Sequence, residues 1–383
     1  MINLRDFHTS SGRKFALEKL LKVDLQNIGS FTFDENIAGS RNCENMIGAT
    51  QIPLGVAGPL KITSLRQEFF IPLATTEGAL VASVNRGSKA ITLSGGAQVE
   101  VEKVGATRGP VFRIRNLKEK KILERYLKTN FEILKKVVRK TDPHIILRKF
   151  ETSSIGRNFY VRFYFDTEDA MGMNMATIAT QVAADFIEKI TKIKCLSVSG
   201  NYCIDKKPAW LDFINGRGFK VWAEVTLHKK ILREVLKTSA KEIYDVWLAK
   251  CMTGAALTGS MGFNAQFANI VAAMFLATGQ DPAHITEGSM GITNAEIVGK
   301  NLYMSIYLPD LMLGTVGGGT GLATQKEALS ILGINGGSRG KNSEKLAKII
   351  GVAVLAGEIS LLSSLSEGSL VRAHQKLGRG EKP

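Results

Sequence analysis

Cysteine is scarce. Cys43, Cys195, Cys203 and Cys251, the four in 383 residues, give neither the density of a disulfide scaffold nor the close pairs of a zinc site, so a reducing, cytoplasmic setting is expected. The opening MINLRDFHTSSGRKF holds no apolar run of signal-peptide type, and neither a leader nor a membrane anchor is expected from it. Charge is sparse between Cys251 and Gln280. That stretch is long enough to cross a bilayer, yet Asn264, Gln266, Asn269 and many Gly, Ser and Thr interrupt it, which points to buried helices instead. Acidic residues are outnumbered, 35 against 50 Lys and Arg, for a net charge of +15. The imbalance is local. From Arg113 to Lys140 eleven basic residues face only Glu119, Glu124 and Glu132, but no aromatic interleaving or nucleic-acid motif accompanies them. A solvated face, or a field that draws in polyanionic ligands, suits that window better than nucleic-acid binding.

The chain is longer than one hydrophobic core usually covers, so two domains, or one carrying an insertion, are expected. Ser10-Ser11 before FALEKLLKV predicts a capped amphipathic helix. Glu44 to Leu60, ENMIGATQIPLGVAGPL, alternates Gly with Pro and predicts a turned, extended segment. Thr75-Thr76 predict a helix start with Glu77 in its first turn and Leu80, Val81 and Val84 on the buried side. From Pro110 the texture changes. PVFRIR predicts a strand, Asn116 to Lys140 a helical stretch, HIILRKFETS and FYVRFYFDT two strands joined around Gly156, Met173 to Thr191 a helix and IKCLSVS a last strand. That βαββαβ order is ferredoxin-like. The fold class expected is α+β: a large, mostly helical domain with this small domain inserted. The boundaries expected are 1–109 for the first part of the large domain, 110–197 for the insertion, 198–360 for a connecting loop and the second part, and 361–383 for a C-terminal helix and tail.

Ser197 to Ala209, SVSGNYCIDKKPA, has a composition that plain scaffold does not require. Pro208 bars a helix from running back through it, and two ammonium groups beside one carboxylate can face a substrate carboxylate and a developing oxyanion. A solvated basic loop has the same composition. Asp169 to Met175, DAMGMNM, sets Gly172 before a helix whose N-terminus can take a pyrophosphate, although a Met-rich turn equally serves packing. Gly314 to Gly321, GTVGGGTG, lacks the Lys-Ser/Thr of a P-loop. Asp281 before Pro282 reads as a helix-start carboxylate.

These segments, in this order, resemble the class I HMG-CoA reductase (3-hydroxy-3-methylglutaryl-CoA reductase) family from about Glu44 to His374. The resemblance implies four catalytic residues, Glu77, Lys206, Asp281 and His374. Ser83, Asn85, Arg86 and Lys89 match positions that contact coenzyme A, with Lys89 where other members carry arginine. Arg108, Ser199, Asp205, Lys207, Lys250 and Asn269 match positions that hold the glutaryl end, while Gln266 stands where the family has a histidine. Asp169, Met171, Gly172, Met173, Asn174, Met175, Gly317, Gly318 and the tail residue Arg379 fall to the nicotinamide cofactor.

The reaction implied is a four-electron reduction of HMG-CoA to mevalonate and free CoA, early in isoprenoid biosynthesis, with NADPH favoured, NADH possible and no metal. In that chemistry Lys206 stabilises the oxyanion, His374 protonates the thiolate, and Glu77, kept protonated by burial and by Asp281, protonates the aldehyde oxygen. A homodimer or dimer of dimers with the site between subunits is implied, with no nucleic-acid partner. Catabolic oxidation of mevalonate by NAD, and a basic polyanion-binding protein, are the alternatives. Contiguous DKKPA speaks against the first, and the second predicts salt-sensitive polyanion binding with no nicotinamide oxidation.

Overall fold

The computed structural model describes residues 4–368. Its first helix, α1 (Ser10–Leu21), is capped by Thr9, whose Oγ1 accepts from Gly12 N at 3.0 Å, rather than by the serines that follow. After α2 (Glu35–Arg41) the Gly/Pro-rich segment forms β1 (Leu54–Ile62), antiparallel to β2 (Gln67–Ala74). The next helix, α3 (Leu80–Leu93), starts later than the threonine pair. Ala79 caps it in the left-handed region, and Thr75 Oγ1 accepts from Glu77 N at 3.0 Å, so Glu77 stands ahead of the helix and not in its first turn.

β3 (Gln98–Arg108), β4 (Val111–Arg113), α4 (Leu117–Thr129), α5 (Phe131–Arg139), β5 (Ile146–Ile155), β6 (Asn158–Asp166), α6 (Met173–Thr191) and β7 (Cys195–Ser197) follow. From β4 onward this is the βαββαβ succession, with the first helical stretch broken at Asn130. The strands lie in the antiparallel order β7–β4–β6–β5, a ferredoxin-like arrangement. Alternation makes the core. Phe159, Val161, Phe163 and Phe165 of β6 point to one side and are fully buried, and α6 meets them with Ala176, Ala179, Ala183 and Ile187.

α7 (Trp210–Asn215) leads to β8 (Arg217–Leu227), and β3 then serves two sheets at once. Its first half pairs with β8 and its last three residues, Ala106 to Arg108, with β6. The boundary expected at 109–110 lies in the two-residue link between β3 and β4. The remaining elements are α8 (Lys229–Glu234), α9 (Ala240–Trp247), a π-helical stretch Leu248–Gly254, α10 (Ala255–Thr258), β9 (Gly262–Phe263), α11 (Phe267–Thr278), α12 (Ile285–Gly288), β10 (Gly291–Val298), β11 (Asn301–Leu311), α13 (Ala323–Ile331) and α14 (Lys341–Ser366).

α14 is long and apolar enough to cross a membrane, but it is the central helix of the larger core, buried from Leu346 to Leu362 with few interruptions. It runs unbroken through the boundary expected at 360–361. α3 crosses it at Gly87. A Cβ there would lie 1.9 Å from Ala356 O, so no other residue lets the two backbones meet.

Candidate active site

The loop Ser197 to Ala209 joins the small sheet to α7, and three of its non-glycine residues, Asn201, Ile204 and Lys206, lie in the left-handed region. Such a path persists only where neighbours hold it. Thr107 Oγ1 donates to Cys203 O at 2.8 Å, Gly200 N to Gly109 O at 2.6 Å and Lys207 N to Glu287 Oε2 at 3.1 Å. Asp205 anchors the centre, paired with Arg217 at 2.7 Å and Arg108 at 3.2 Å. Arg108 and Asp205, both expected on substrate, are therefore engaged with each other. Lys207 Nζ donates to Asp205 O at 3.0 Å, and Ser199 Oγ lies 3.8 Å from Cys203 Sγ.

Lys206, thus turned outward, pairs through Nζ with Asp281 Oδ2 at 2.8 Å. Asp281 caps the 3-10 turn Pro282–His284, its Oδ1 accepting from Ala283 N at 3.0 Å. Burial alone would raise its carboxyl, but the Lys206 contact, the Ala283 N–H and the charge of His284 hold it below the usual range.

The pair opens on a cavity of about 650 Å³ lined also by Met171 to Met175 and by Gly314, Gly317, Gly318 and Gly319. Gln280, which sequence reasoning passed over, fastens the glycine loop beside Asp281. Its Nε2 donates to Gly314 O at 2.9 Å and its Oε1 accepts from Gly314 N at 2.8 Å. Gly172 takes φ 84° as the N-cap of α6, no side chain among the described residues caps that helix, and its first residues, Met173 to Met175, line the cavity.

Asp169 does not share that surface. It is buried beneath, where Oδ2 accepts from Ser338 N at 2.5 Å and Gly340 N at 2.8 Å, and Oδ1 from Ser343 N at 2.9 Å. These N–H groups overcome its burial and hold its carboxyl below the usual range. Its task is to cap α14 and hold the loop before it. Asp169→Asn, which offers one acceptor oxygen instead of two, is expected to lower stability by about 1–3 kcal/mol, read as a fall in melting temperature.

A second group lies elsewhere. Glu77 is exposed, against the burial expected of it, and lines a different cavity of about 480 Å³ with Val56, Ala79, Val81, Ala82 and Asn85. Asn269 Nδ2 donates to Glu77 Oε1 at 3.4 Å, and Gln266 holds Asn269 through Oε1 at 3.4 Å while donating to Gly357 O at 2.6 Å. Beneath them Glu358, fully buried, accepts from Ala265 N, Gln266 N and Thr293 Oγ1. Its burial raises its carboxyl despite those donors and the nearby charge of Lys250, which is itself exposed.

Ser83, Asn85 and Lys89 lie along α3, where Asn85 Oδ1 accepts from Gly58 N at 3.0 Å. Arg86, expected on coenzyme A, turns to α14 instead, donating to Ser360 O at 2.6 Å and pairing with Glu367 at 2.8 Å. His374 and Arg379 lie outside the described residues.

Behind the Lys206 loop is a buried ionic network that sequence reasoning did not find. Arg217, fully buried, contacts Asp205, Glu287 and Thr107, and Arg162 pairs with Asp212 at 2.6 Å. Burial raises Asp212 to about 6 in spite of both arginines, and raises the fully buried Asp310 well above the carboxylate range. Asp205, His284 and Glu287 bring donor atoms within 4.8 Å of one another, but Arg217 already meets both carboxylates.

Residues 9–379 match the family model described as Hydroxymethylglutaryl-coenzyme A reductase. The 3-hydroxy-3-methylglutaryl-coenzyme A reductase of Methanocaldococcus jannaschii is 50% identical over 379 residues, covering 97% of this chain and 93% of its own length. That of Pyrococcus abyssi is 49% identical over 374 residues, covering 96% and 92%. Reductase 2 of Gossypium hirsutum is 43% identical, and the match covers 97% of this chain and 60% of that one. Among solved structures, the class II 3-hydroxy-3-methylglutaryl-CoA reductase of Streptococcus pneumoniae bound to NADPH has the same fold, with a TM-score of 0.69 at 19% identity over 94% of this chain and 98% of that one.

Proposed function

The chain belongs to the hydroxymethylglutaryl-coenzyme A reductase family, and on that premise we propose how its residues divide the reaction. The activity is reduction of HMG-CoA to mevalonate and free CoA, consuming two NADPH, in the mevalonate route to isoprenoids. The observation that carries the assignment is the Lys206–Asp281 ion pair opening on the cavity of the Met171–Met175 and Gly317–Gly319 segments. That cavity fits a dinucleotide: the uncapped start of α6 offers N–H donors to a pyrophosphate, and the glycine loop permits close approach. NADPH, when bound, supplies the hydride in each half-reaction.

Lys206 faces the thioester oxygen and stabilises the oxyanion as it forms, with Asp281 keeping the ammonium in place. His374 protonates the CoA thiolate when the C–S bond breaks, and Glu77 protonates the aldehyde oxygen at the second reduction. Ser83, Asn85 and Lys89 are assigned to CoA; Ser199, Lys207, Lys250 and Asn269 to the glutaryl end. Glu77, which accepts from Asn269, lines one cavity while Lys206 and Asp281 line another. We therefore assign the site to two subunits of a homodimer or dimer of dimers, where a partner covers Glu77 and restores the burial its acid role needs. Residues 110–197 are assigned to cofactor binding. Cytoplasmic placement is supported by four free cysteines. Loss of absorbance at 340 nm with HMG-CoA and NADPH tests the activity, and its absence would refute it.

NADPH is expected over NADH. Of the cations in KTDPHIILRKFE, Arg148 is paired with Asp166 at 2.6 Å and Lys149 with Glu151 at 3.7 Å. His144 lies 3.0 Å from Glu168 Oε2, and both line a cavity of about 660 Å³ with Asp142 and Asp169 on one side and the exposed Arg339 and Lys341 on the other. Exposed cations there favour a 2′-phosphate by about 1–3 kcal/mol, an advantage that salt screens. The ratio of kcat/KM for NADPH over NADH should fall as salt rises. A preference for NADH at low salt would reverse the assignment.

A further inference from the structure

His284 reaches the Lys206–Asp281 pair from behind. It ends the turn that Asp281 caps, no part of it meets solvent, and it lines no part of the cleft that holds Lys206. Its Nδ1 lies 2.6 Å from Glu287 Oε1. Glu287 also accepts from Arg217 and from Lys207 N at 3.1 Å. The carboxylate is the acceptor in each contact, so the proton on that side of the ring sits on Nδ1.

The other nitrogen is enclosed and has no hydrogen-bond partner among the described residues. It faces two carboxylate oxygens, Asp281 Oδ2 at 3.6 Å and Asp205 Oδ1 at 4.0 Å. A neutral ring would aim a lone pair at both. A ring protonated on Nε2 presents an N–H to them instead, at low dielectric, where the difference is large. Among the described residues the charges facing the ring also include Arg217 of β8, whose NH1 lies 3.4 Å from Nδ1, and Lys206 across Asp281.

We propose that His284 is a positioning residue for the reduction: as an imidazolium locked on Glu287, it orients Asp281 and keeps it ionised, and Asp281 in turn keeps Lys206 charged against the substrate oxygen. The proposal rests on the roles assigned above to Lys206 and Asp281. It also accounts for a fully buried histidine between three carboxylates and an arginine, a costly arrangement for packing alone.

The test is His284→Gln, which keeps a donor for Glu287 and never carries charge. We expect kcat for HMG-CoA to fall about tenfold with KM within about twofold. The acid limb of the kcat–pH profile, where Asp281 takes up its proton, should move upward by about half a pH unit, since one of the charges holding that carboxyl down has gone. A packing role would lower the melting temperature and leave the limb where it was. Wild-type kcat with an unmoved limb overturns the proposal.

A wild type inactive on HMG-CoA and NADPH overturns the functional reading itself, which separates the two failures. If the variant does not fold, wild type carrying 15N-histidine decides, its signals assigned through variants at His8, His144, His228 and His374. Protons on both His284 nitrogens in the active pH range support the role, and a bare Nε2 overturns it.

Discussion

Lys206→Ala is expected to reduce turnover of HMG-CoA by about 10³-fold while the protein stays folded. Removing a single oxyanion donor from a preorganised site costs about 3–4 kcal/mol of transition-state stabilisation, which sets the figure. The fold is spared because the loop hangs from other atoms. Cys203 O, Asp205 and the Lys207 N–H carry it, whereas the Lys206 side chain is 42% exposed and pairs with Asp281 at the mouth of the cavity. Reduction of free mevaldehyde should fall alongside reduction of HMG-CoA, because both half-reactions place charge on the same oxygen. Circular dichroism together with single-turnover measurements at 340 nm reads both halves of the statement. A folded variant that keeps near-wild-type turnover would move the oxyanion cation to another residue.

The small sheet was legible because its signals are local. Alternation in FYVRFYFD, the glycine between two strands and an uninterrupted helical period from Met173 to Thr191 each specify an element without help from distant residues. The Asp281-Pro282 start was legible for the same reason. Tertiary settings were not. The threonine pair predicts a helical turn for Glu77 and the family role implies its burial, yet Ala79 delays the helix and the carboxylate stands exposed, an outcome decided by how β2 hands over to α3. Asp169 and Arg86 belong to segments that fit ligand binding, but their partners, the N–H groups before α14 and the carbonyl of Ser360, lie more than 160 residues away.

The ionic network escaped because Arg, Asp and Glu are read as surface by default. Two hints were present. Arg217 stands at the two-residue period of Phe219, Val221, Ala223, Val225 and Leu227, the apolar set of its strand, and Asp310 stands near the end of another, NLYMSIYLPDL, where a lone carboxyl flanked by apolar residues marks a buried polar site.

That network carries the second large effect: Arg217→Met should cost about 3–5 kcal/mol of stability, the usual result of removing one partner from a buried ion pair. Methionine fills much of the space, so the loss is one of charge. Asp205 and Glu287 lose their buried cation, Thr107 Oγ1 loses a donor, and Asp205 no longer has a second anchor for the Lys206 loop.

The deficit should also depend on pH, with a definite sign. Asp212 is raised to about 6 and Asp310 is raised well above its ordinary value, each chiefly by burial, with the charge of Arg217 among the influences that pull them down. A carboxyl whose folded pKa lies above its unfolded value contributes stability that is present in acid and is lost as pH rises through the folded pKa. Removing Arg217 raises both values further and so extends that loss upward. The variant should therefore lie closer to wild type at pH 5 than at pH 8 in urea unfolding. An equal deficit at both values would mean that the two carboxyls do not sense Arg217, and a deficit under about 1 kcal/mol would mean that the network is not held together by its charge.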